Sequence, residues 1–427
     1  MAGPDQGGVA QRLYDLLVHL FAVEPPVRLV GWDGSVAGSA EGPTLQVRSR
    51  RAVRRLLWHP GELGLARAYV TGEIDVEGDL TDAMRTLADY GSLVGRKPAL
   101  TATDRRELLR TAVLLGAVGP APKAPPEERL LSEGRPVGSR GPRGARELAA
   151  ADVPDDGGLD LMSDVLGASL AYSCARWSDA GAADDLEAAQ LAKLDLVCDR
   201  LGLAPGMRLL DLGCGWGSLL VHAVRHRGVE AVGLVGSADR AEVVRRRLQA
   251  INLSGRAEVR LGDVDAVDDG PYDAVAVIES MEHVAEADLV EHAARLQALL
   301  RPGGRLLIQA LARRPGPAQP SPTFMTAYVM PEGPLPPVGV LVSAVEDAGL
   351  ELRQVESWRE HYPRTLQAWL TRVDARADAA ELVGQTRLRV WRLSLALSTV
   401  GFERDRISAH QLVAVRPHAD GRSGMLA

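Results

Sequence analysis

The stretch LLDLGCGWG, residues 209–217, decides the fold that the sequence predicts. Residues 209–212 are typical of the end of a buried parallel strand, and the residues from Ser218 onward favour a helix. Between them stand three glycines at alternate positions, Gly213, Gly215 and Gly217. Glycine is required where backbone must lie against a ligand, because a Cβ would fill that space. The stretch therefore predicts a strand, a ligand-binding turn and a helix.

Strands and helices alternate on both sides of this turn. The predicted strands are residues 207–213, 230–235, 258–261, 272–278 and 305–310, and the predicted helices are 186–203, 218–227, 238–252 and 287–300. This order predicts an α/β fold with a doubly wound parallel sheet and helices on both faces. Ligands bind to such sheets beyond the carboxyl ends of the strands, where the strand order reverses, and the glycine turn lies at that place.

The rest of the chain predicts a cover over the sheet and two closing strands. Residues 311–336 are irregular and rich in proline, and we expect them to form a lid over the carboxyl edge of the sheet. The closing strands are predicted at 350–358 and 412–416. A helix near 339–348 precedes them, and residues 365–399 between them are mostly helical.

The composition argues against several classes of protein. The chain has 427 residues and a net charge of −7, so nonspecific nucleic-acid binding is not expected to be its main role. Its three cysteines are widely spaced without a CxxC pair, which argues against a disulfide framework or a zinc site. No apolar run approaches about 20 residues, and the N-terminus lacks the pattern of a signal peptide. We therefore expect a cytoplasmic protein, with attachment to a membrane surface left open.

Three parts are predicted along the chain, a compact N-terminal domain (1–116), a flexible linker (117–158) and the sheet-forming domain (159–427). The predicted elements of the first domain are helices at 9–23 and 105–115 and strands at 27–30 and 44–47. The linker is rich in proline, and its apolar residues follow no pattern. An arginine cluster at 48–55 has two interpretations, contact with anionic lipid headgroups or a solvated face paired with the domain's own acids.

The glycine turn also indicates which ligand the sheet binds. It reads GxGxG, not the GxGxxG of dinucleotide-binding proteins, and no Walker lysine accompanies it, so a phosphate cradle is not indicated. Such a turn suits a ligand whose amino acid and ribose contact the backbone, and S-adenosylmethionine is that ligand. Asp263, after the third strand, is placed to accept a hydrogen bond from the adenine amino group. Its alternative role is a helix cap or turn residue.

Seven stretches, taken in order, resemble the cyclopropane-fatty-acid synthase family, whose members add a carbon from S-adenosylmethionine to a cis double bond of a lipid acyl chain. They are AYSCARW (171–177), LEAAQLAKLD (186–195), LLDLGCGWGSL (209–219), MEHV (281–284), YVMPEGPLP (328–336), HYPRTLQAWL (361–370) and VWRLSLALSTVGF (390–402). The resemblance implies a class I methyltransferase fold, with a Rossmann-like doubly wound sheet and a helical lid. It also implies a smaller N-terminal α+β domain that engages lipid or forms a dimer.

The chemistry of this family requires a dry site and a base. The alkene attacks a sulfonium methyl group, which creates a carbocation that water would trap, and one proton must then be removed. In the family, a bicarbonate ion held by Cys, Glu, His and Tyr side chains is that base. The resemblance places Cys174, Glu282 and Tyr362 at three of these positions. Gln309, which cannot carry charge, stands where the family usually has His.

Glu279 is a second departure from the family pattern, because it stands where the family usually has Gly, three residues before Glu282. An added carboxylate would repel bound bicarbonate. It would also be able to replace that ion, either as the proton acceptor or as the group that steadies the cation. The alternative is a solvated residue at a strand end.

The resemblance assigns contacts to S-adenosylmethionine as well. Tyr172 and Ser173 carry over directly, and in the loop after the second strand only Ser237 matches. Trp216 is either a cofactor contact or a packing residue. The predicted catalytic residues are Cys174, Glu279, Glu282, Gln309 and Tyr362, and the predicted cofactor-binding residues are Tyr172, Ser173, Asp211, Gly213, Gly215, Trp216, Ser237 and Asp263. No metal is predicted.

We therefore expect an enzyme, peripheral at the inner membrane face, that acts on unsaturated acyl chains of phospholipids. The two changes in the anion pocket favour a 10-methylene branch over a cyclopropane ring, and a separate reductase would complete a methyl branch. Two other interpretations stay open, a methyltransferase for soluble small molecules and an inactive S-adenosylmethionine-binding protein. A homodimer formed through the first domain is implied by the resemblance.

Overall fold

The computed structural model of the protein describes residues 7–94, 101–128, 156–178, 185–316, 323–330 and 335–425. The chain divides into two compact units. The first consists of Met1–Gly134, Pro320–Pro331 and Val383–Val400, and the second of Arg135–Gln319, Glu332–Leu382 and Gly401–Ala427. The predicted division at 116 and 158 stays a prediction, and residues 129–155 of the predicted linker lie outside the described residues.

The first unit is an α+β unit in its described residues. Its strands are β1 (Arg28–Val30), β2 (Val36–Gly38), β3 (Thr44–Val47) and β4 (Ile74–Glu77), and its helices include α1 (Val9–Phe21), α2 (Arg50–Trp58), α3 (Glu62–Val70), α4 (Leu80–Val94) and α5 (Ala102–Leu114). The strands pair in the order β2-β1-β3-β4, and only the pair of β1 with β3 is parallel among these. The sequence predicts α1, β1, β3 and α5 but not β2 or β4.

The second unit contains, in the part of the chain that the structure describes, a seven-stranded sheet in the order β10-β11-β9-β8-β5-β6-β7. Its strands are β5 (Arg208–Leu212), β6 (Glu230–Val235), β7 (Ala257–Leu261), β8 (Tyr272–Ile278), β9 (Leu300–Arg313), β10 (Glu351–Ser357) and β11 (Ile407–Val415). The strands from β5 to β9 run parallel, whereas β11 is antiparallel to both of its neighbours. The strand order reverses at β5, so the predicted doubly wound sheet is confirmed.

The helices that follow α5 are α6 (Asp156–Leu166), α7 (Leu186–Leu201), α8 (Ser218–Arg227), α9 (Ala238–Ala250), α10 (Leu289–Leu299), α11 (Val338–Asp347), α12 (His361–Ala375), α13 (Ala379–Val383) and α14 (Gln385–Glu403). Alternate residues of each central strand serve opposite faces of the sheet. Leu209 and Ala274 pack with α7, α8 and α9, while Leu210 and Val275 pack with α10 and α11. This double burial explains why the central strands are continuous apolar runs.

Two predicted strands prove longer than expected. β9 begins at Leu300 instead of residue 305 and continues to Arg313, and β11 begins at Ile407 instead of residue 412. The start of β11 contains Ser408, His410 and Gln411, whose polar side chains hide the strand from a hydrophobicity pattern. Part of the predicted lid is a π-helical turn, Met325–Val329, and the lid role itself stays a prediction. Within the described ranges, no helix combines the length and apolar character needed to cross a membrane.

Candidate active site

The glycine turn after β5 leaves the sheet in a left-handed conformation. Gly213, Gly215 and Gly217 have φ angles of +75°, +56° and +78°. A Cβ at Gly213 would lie 3.0 Å from both the Cβ and the Oγ of Ser280, so both the backbone conformation and the close approach demand glycine there. The turn therefore needs glycine for its own conformation and packing, and its contact with the amino acid and ribose of S-adenosylmethionine stays a prediction.

Asp211 and Trp216 flank this turn. Asp211 is buried, and burial raises the pKa of its carboxyl to about 7, although the charge of Lys193 opposes the shift. Trp216 is buried as well, and the Arg240 guanidinium lies 5.0 Å from the centre of its ring. The Trp216 carbonyl accepts a hydrogen bond of 2.8 Å from Arg247. These contacts give Trp216 a packing role, and its contact with the cofactor stays a prediction.

Ser237 and Asp263 act as caps. The Ser237 hydroxyl accepts a hydrogen bond of 3.4 Å from the backbone N–H of Arg240 at the start of α9. Asp263 is exposed, and its carboxylate accepts a hydrogen bond of 3.1 Å from the backbone N–H of Asp265. Each residue thus has a local structural role of the kind that Ser and Asp commonly fill. Their proposed contacts with the ribose and adenine stay predictions.

Tyr172 and Ser173 lie on the chain segment before α7. The Tyr172 ring stacks on Trp369 with 5.0 Å between ring centres. Ser173 is buried, and its hydroxyl accepts a hydrogen bond of 2.9 Å from Lys193 Nζ. Gln190 donates a bond of 2.9 Å to the Ser173 carbonyl. Side chains of α7 therefore fix the predicted cofactor contact at Ser173.

Lys193 and Gln190 are site residues that the sequence analysis missed. Lys193 is buried, and burial lowers its pKa to about 8, against the opposing effect of the Glu279 carboxylate. A signal for both was present, because they fall on the same stripe of α7 as Leu194 and Val197, which are buried. A polar residue on the buried stripe of a helix needs a partner, and here the partners belong to the site.

Glu279 is the centre of a polar cluster where β8 ends. Its carboxylate accepts three hydrogen bonds, from the Cys174 backbone N–H (2.9 Å), from Gln309 Nε2 (2.8 Å) and from the Tyr362 hydroxyl (2.7 Å). Its φ angle is +51°, in the left-handed region that favours glycine. The structure therefore brings four of the five predicted catalytic residues into direct contact, with the carboxylate of Glu279 in the middle.

The electrostatics of this cluster favour one proton acceptor. Part of the Glu279 surface stays accessible, yet dense packing around the carboxylate raises its pKa, while its three donors and Lys193 lower it. Burial raises the pKa of the Cys174 thiol and of the Tyr362 phenol well above their usual values, and the Glu279 charge adds to both shifts. Cys174 and Tyr362 therefore keep their protons at neutral pH, and Glu279 is the group that can accept one.

Glu282 is the fifth predicted catalytic residue, and it sits in a 3₁₀ turn, Met281–His283. One carboxyl oxygen accepts a hydrogen bond of 3.3 Å from the Leu311 backbone N–H. The other oxygen is buried and has no hydrogen-bond partner among the described residues. Burial, helped by the charge of Glu279, raises the pKa of Glu282 to about 7. The side chain thus has an open bonding position in a buried place.

Each of the chain's cysteines, all of which are described, is a buried free thiol. Cys174 offers its backbone N–H to the site, and its Sγ lies 3.5 Å from the Ala175 carbonyl oxygen. A buried thiol with a raised pKa is a poor nucleophile, because the thiolate is the reactive form. A covalent role for Cys174 is therefore not supported, in agreement with the sequence interpretation.

Comparison with known proteins identifies the family. The family model described as mycolic acid cyclopropane synthetase matches residues 145–412. A probable fatty acid methyltransferase of Mycobacterium tuberculosis is 33% identical over 403 residues, which are 92% of this chain and 91% of that protein. The tuberculostearic acid methyltransferase UfaA1 of the same organism is 29% identical over 413 residues, 94% of this chain and 90% of that protein.

A solved structure shows the same fold with a cofactor product. It is the mycolic acid cyclopropane synthase CmaA1 complexed with SAH and CTAB, which matches with a TM-score of 0.55 and 25% identity over 60% of this chain and 93% of that chain. The glycine turn of this chain, which follows the buried Asp211 and has no side chain at positions 213, 215 and 217, fits S-adenosylmethionine as the cofactor. The chain belongs to the mycolic acid cyclopropane synthetase family and is an S-adenosylmethionine-dependent enzyme with C-methyltransferase or cyclopropane synthase activity.

Proposed function

We propose that this enzyme transfers a methyl-derived carbon from S-adenosylmethionine to the cis double bond of an unsaturated acyl chain in phospholipid, and that Glu279 is its base. The observation that carries the proposal is the Glu279 carboxylate, which accepts hydrogen bonds from Cys174, Gln309 and Tyr362. The resemblance assigns those three positions to the bicarbonate ion of the family. The names of the fatty acid and tuberculostearic acid methyltransferase relatives support the acyl substrate.

The proposed reaction needs a dry site and one proton acceptor. S-adenosylmethionine supplies an electrophilic methyl group when it is bound. The alkene π electrons form the new carbon–carbon bond while the carbon–sulfur bond breaks, which leaves a positive charge on the acyl chain. A proton of the added methyl group then moves to the Glu279 carboxylate, and its bonding electrons complete the product, as a double bond after a hydride shift or as a ring bond without one. Glu279 also steadies the cation before the proton leaves, because it is a negative charge in a poorly solvated place.

Bicarbonate does not fit this site as it fits the family pattern. The Gln309 and Tyr362 side chains, at two of the positions assigned to the ion, already donate to Glu279, as does the backbone N–H of Cys174. A second anion beside that carboxylate would meet like charge in a buried place, where screening by water is weak. Bicarbonate therefore has no part in the proposed reaction, and we expect turnover without it.

The proposed product is the 10-methylene branch. In that path, the hydride on the methylated carbon shifts to the neighbouring cationic carbon, and the added methyl group then loses a proton to form the double bond. Ring closure takes a proton from the same methyl group without a hydride shift. The tuberculostearic acid methyltransferase relative supports the branch, and the cyclopropane synthase structure supports the ring as the alternative. Reduction of the methylene group needs a hydride donor and a proton, which we assign to a separate reductase.

Expression in a bacterium that is fed oleate tests the proposed product. Fatty acid methyl esters from those cells, analysed by mass spectrometry, should contain a methylene-branched C19 chain. A cyclopropane C19 chain would overturn the product assignment but not the base assignment. Unchanged oleate, in cells that contain the folded protein, would contradict the proposed substrate.

The first unit offers a surface for the phospholipid. Three of the clustered arginines, Arg48, Arg51 and Arg55, pair with Asp75 or Glu73, as the second interpretation of the cluster expects. Arg50 and Arg54 lie on another side of α2, against residues 116–119. We assign to this side the contact with anionic lipid.

Exposed apolar residues surround those two arginines. Trp58 is 54% exposed and donates a hydrogen bond of 3.0 Å to the Gly119 carbonyl, while Val118 is 54% exposed. Basic residues beside an exposed Trp are typical of membrane-interface contacts. Arg50→Gln with Arg54→Gln should weaken sedimentation with phosphatidylglycerol vesicles. Arg245→Gln with Arg246→Gln, an equal charge change on α9, should not, and equal binding by all proteins would contradict the assignment.

A further inference from the structure

A chain of side-chain hydrogen bonds leads from Glu279 to Arg200 within the second unit. Gln309 donates to Glu279 through Nε2 at 2.8 Å, and its own oxygen accepts a bond of 2.9 Å from Gln411 Nε2. The Gln411 oxygen accepts a bond from Arg200, on α7. Gln309 and Gln411 are fully buried, so solvent does not reach the two amides in the middle of this chain. The family resemblance assigns no role to Gln411 or Arg200.

The strand register explains why these residues meet. Gln309 on β9 and Gln411 on β11 are directly opposite each other in an antiparallel pair. Leu307 and Val413, two positions away on each strand, pack on the face that α7 covers, so both glutamine side chains point to that face as well. The C-terminal end of α7 then brings the Arg200 guanidinium to the second glutamine.

The direction of each bond in this chain is set by Arg200. A guanidinium has donors only, so the Gln411 group that faces it must be the oxygen. The Gln411 amide nitrogen then faces Gln309, whose oxygen must accept from it. As a result, the Gln309 amide nitrogen faces Glu279. If both amides were turned the other way, the oxygen of Gln309 would face an oxygen of Glu279. The Glu279 carboxyl would then have to be protonated to form a hydrogen bond between the two oxygens.

We infer that Arg200 and Gln411 are positioning residues, which hold the Gln309 amide so that its N–H points at Glu279 and keeps that carboxylate ready to accept a proton. Arg200 acts by orienting the Gln411 amide and not through its positive charge, because the Glu356 carboxylate pairs with the same guanidinium and offsets that charge. Glu356 is itself held by a bond of 3.0 Å from Trp358 Nε1. This inference rests on the proposed role of Glu279 as the base.

Several other charged or titratable groups also act on Glu279. Lys193 on α7 lowers its pKa, while the Tyr362 hydroxyl on α12 and the Cys174 backbone N–H donate to it. Glu282 lies in the turn after β8, and the negative charge of Glu279 raises its pKa. None of these groups contacts Arg200 or Gln411 in the described structure, so variants at those two residues isolate the amide chain.

The test measures kcat/KM against pH for the full-length enzyme on dioleoyl-phosphatidylglycerol vesicles. Arg200→Met should let the Gln309 amide turn, which moves the acid limb of the profile to higher pH and lowers kcat/KM about tenfold at the acid side. Arg200→Lys keeps a group that can only donate hydrogen bonds, so its acid limb should lie close to that of the wild type. Arg227→Met is the matched control, because Arg227 also pairs with α7, through Asp195 and Asp199, without touching Gln411.

Gln411→Met provides a second variant if Arg200→Met folds poorly, and the two changes together form a cycle. The effects of substitutions within one hydrogen-bond chain are not additive. The double variant should therefore shift the acid limb of the pH profile no further than either single variant does. An acid limb that stays in place in a folded Arg200→Met or Gln411→Met enzyme would overturn the inference. A wild-type enzyme without turnover on these vesicles would instead contradict the proposed function.

Discussion

β5 and β8 are neighbouring parallel strands, and the residues that follow them share a backbone conformation but differ in their side chains. Ser280 Oγ, just after β8, donates to the Leu212 carbonyl at the end of β5 over 3.2 Å. Both strands leave the sheet through a residue with positive φ, Gly213 at +75° and Glu279 at +51°. The β5 end has glycine at this position, while the β8 end carries a carboxylate.

The two strand ends differ in what compensates the cost of the left-handed backbone. A residue with a Cβ in the left-handed region costs roughly 1–2 kcal/mol. At Glu279 this cost is offset, because hydrogen bonds to a charged group contribute about 1.5–3 kcal/mol each and three converge on the carboxylate. At Gly213 no such gain is available, since a Cβ would meet Ser280. In the proposed mechanism, the β5 end binds the cofactor common to the family, and the β8 end supplies the base that acts on the cation.

The largest expected effect comes from Glu279→Gln. The amide keeps the size of the side chain but cannot accept a proton from the cation, so turnover should fall on the order of 10²–10⁴-fold. S-adenosylmethionine should still bind with an affinity close to that of the wild type, measured by calorimetry, because the β5 end is unchanged. Full activity of this variant, measured by mass spectrometry of the lipid product, would remove Glu279 from the mechanism.

Tyr362→Phe should have the next largest effect. It removes the donor to the second carboxylate oxygen of Glu279 while the ring can still stack on Phe402. Loss of a hydrogen bond to a charged group predicts a decrease in kcat/KM of about 10- to 100-fold. The bond favours the ionised carboxylate, so its removal raises the pKa of Glu279 and moves the acid limb of kcat/KM to higher pH. A decrease without any movement of the limb would show that Tyr362 acts elsewhere.

Gly213→Ala tests the β5 end. The new Cβ would meet Ser280 in a left-handed backbone, so the turn must shift, and we expect the Kd for S-adenosylmethionine to rise about tenfold. Turnover at saturating cofactor should change less than it does in Glu279→Gln. If Gly213→Ala instead lowers turnover at saturating cofactor and leaves the Kd unchanged, the division of labour between the two strand ends is wrong.

The smallest effect concerns the acids that each end buries. Burial raises the pKa of Asp211 and of Glu282 to about 7, above the usual values of 3.8 and 4.5. Such a group binds its proton more tightly in the folded state, so it weakens the fold as the pH rises from its ordinary pKa to about 7. We therefore compare the melting temperature of Glu282→Gln and of Asp211→Asn with that of the wild type at two pH values. The difference in favour of each variant should be larger at pH 8 than at pH 5. A gain that is the same at both pH values would contradict the pKa shifts.

Much of the β5 end was predictable from the sequence. The run LLDLG and its alternating glycines predict a strand and a tight turn, and the strands β6 and β8 match their predicted bounds. Glu279 and Gln309 also stood out, because they replace residues that the resembling family usually has. The left-handed conformation of Glu279 did not follow, since a Glu gives no signal for positive φ.

The hydrogen-bond chain from Gln309 through Gln411 to Arg200 could not be predicted from the sequence. Gln411 meets Gln309 across 102 positions of chain, and Arg200 meets Gln411 across 211. Their meeting depends on the register of β9 with β11 and on the position of α7, which local patterns do not encode. The buried stripe of α7, in contrast, did hold a readable signal for Lys193, because a charged residue there requires a partner.

Rescue of Glu279→Gly by bicarbonate tests the central claim, that the carboxylate of Glu279 replaces that ion. Glycine suits the left-handed backbone and frees the three donors that hold the carboxylate. In carbon-dioxide-free buffer, we predict that the wild type keeps its turnover and that Glu279→Gly loses it. Added bicarbonate should then restore the variant in a saturable way without raising the wild type. A wild-type enzyme that requires bicarbonate would contradict the claim.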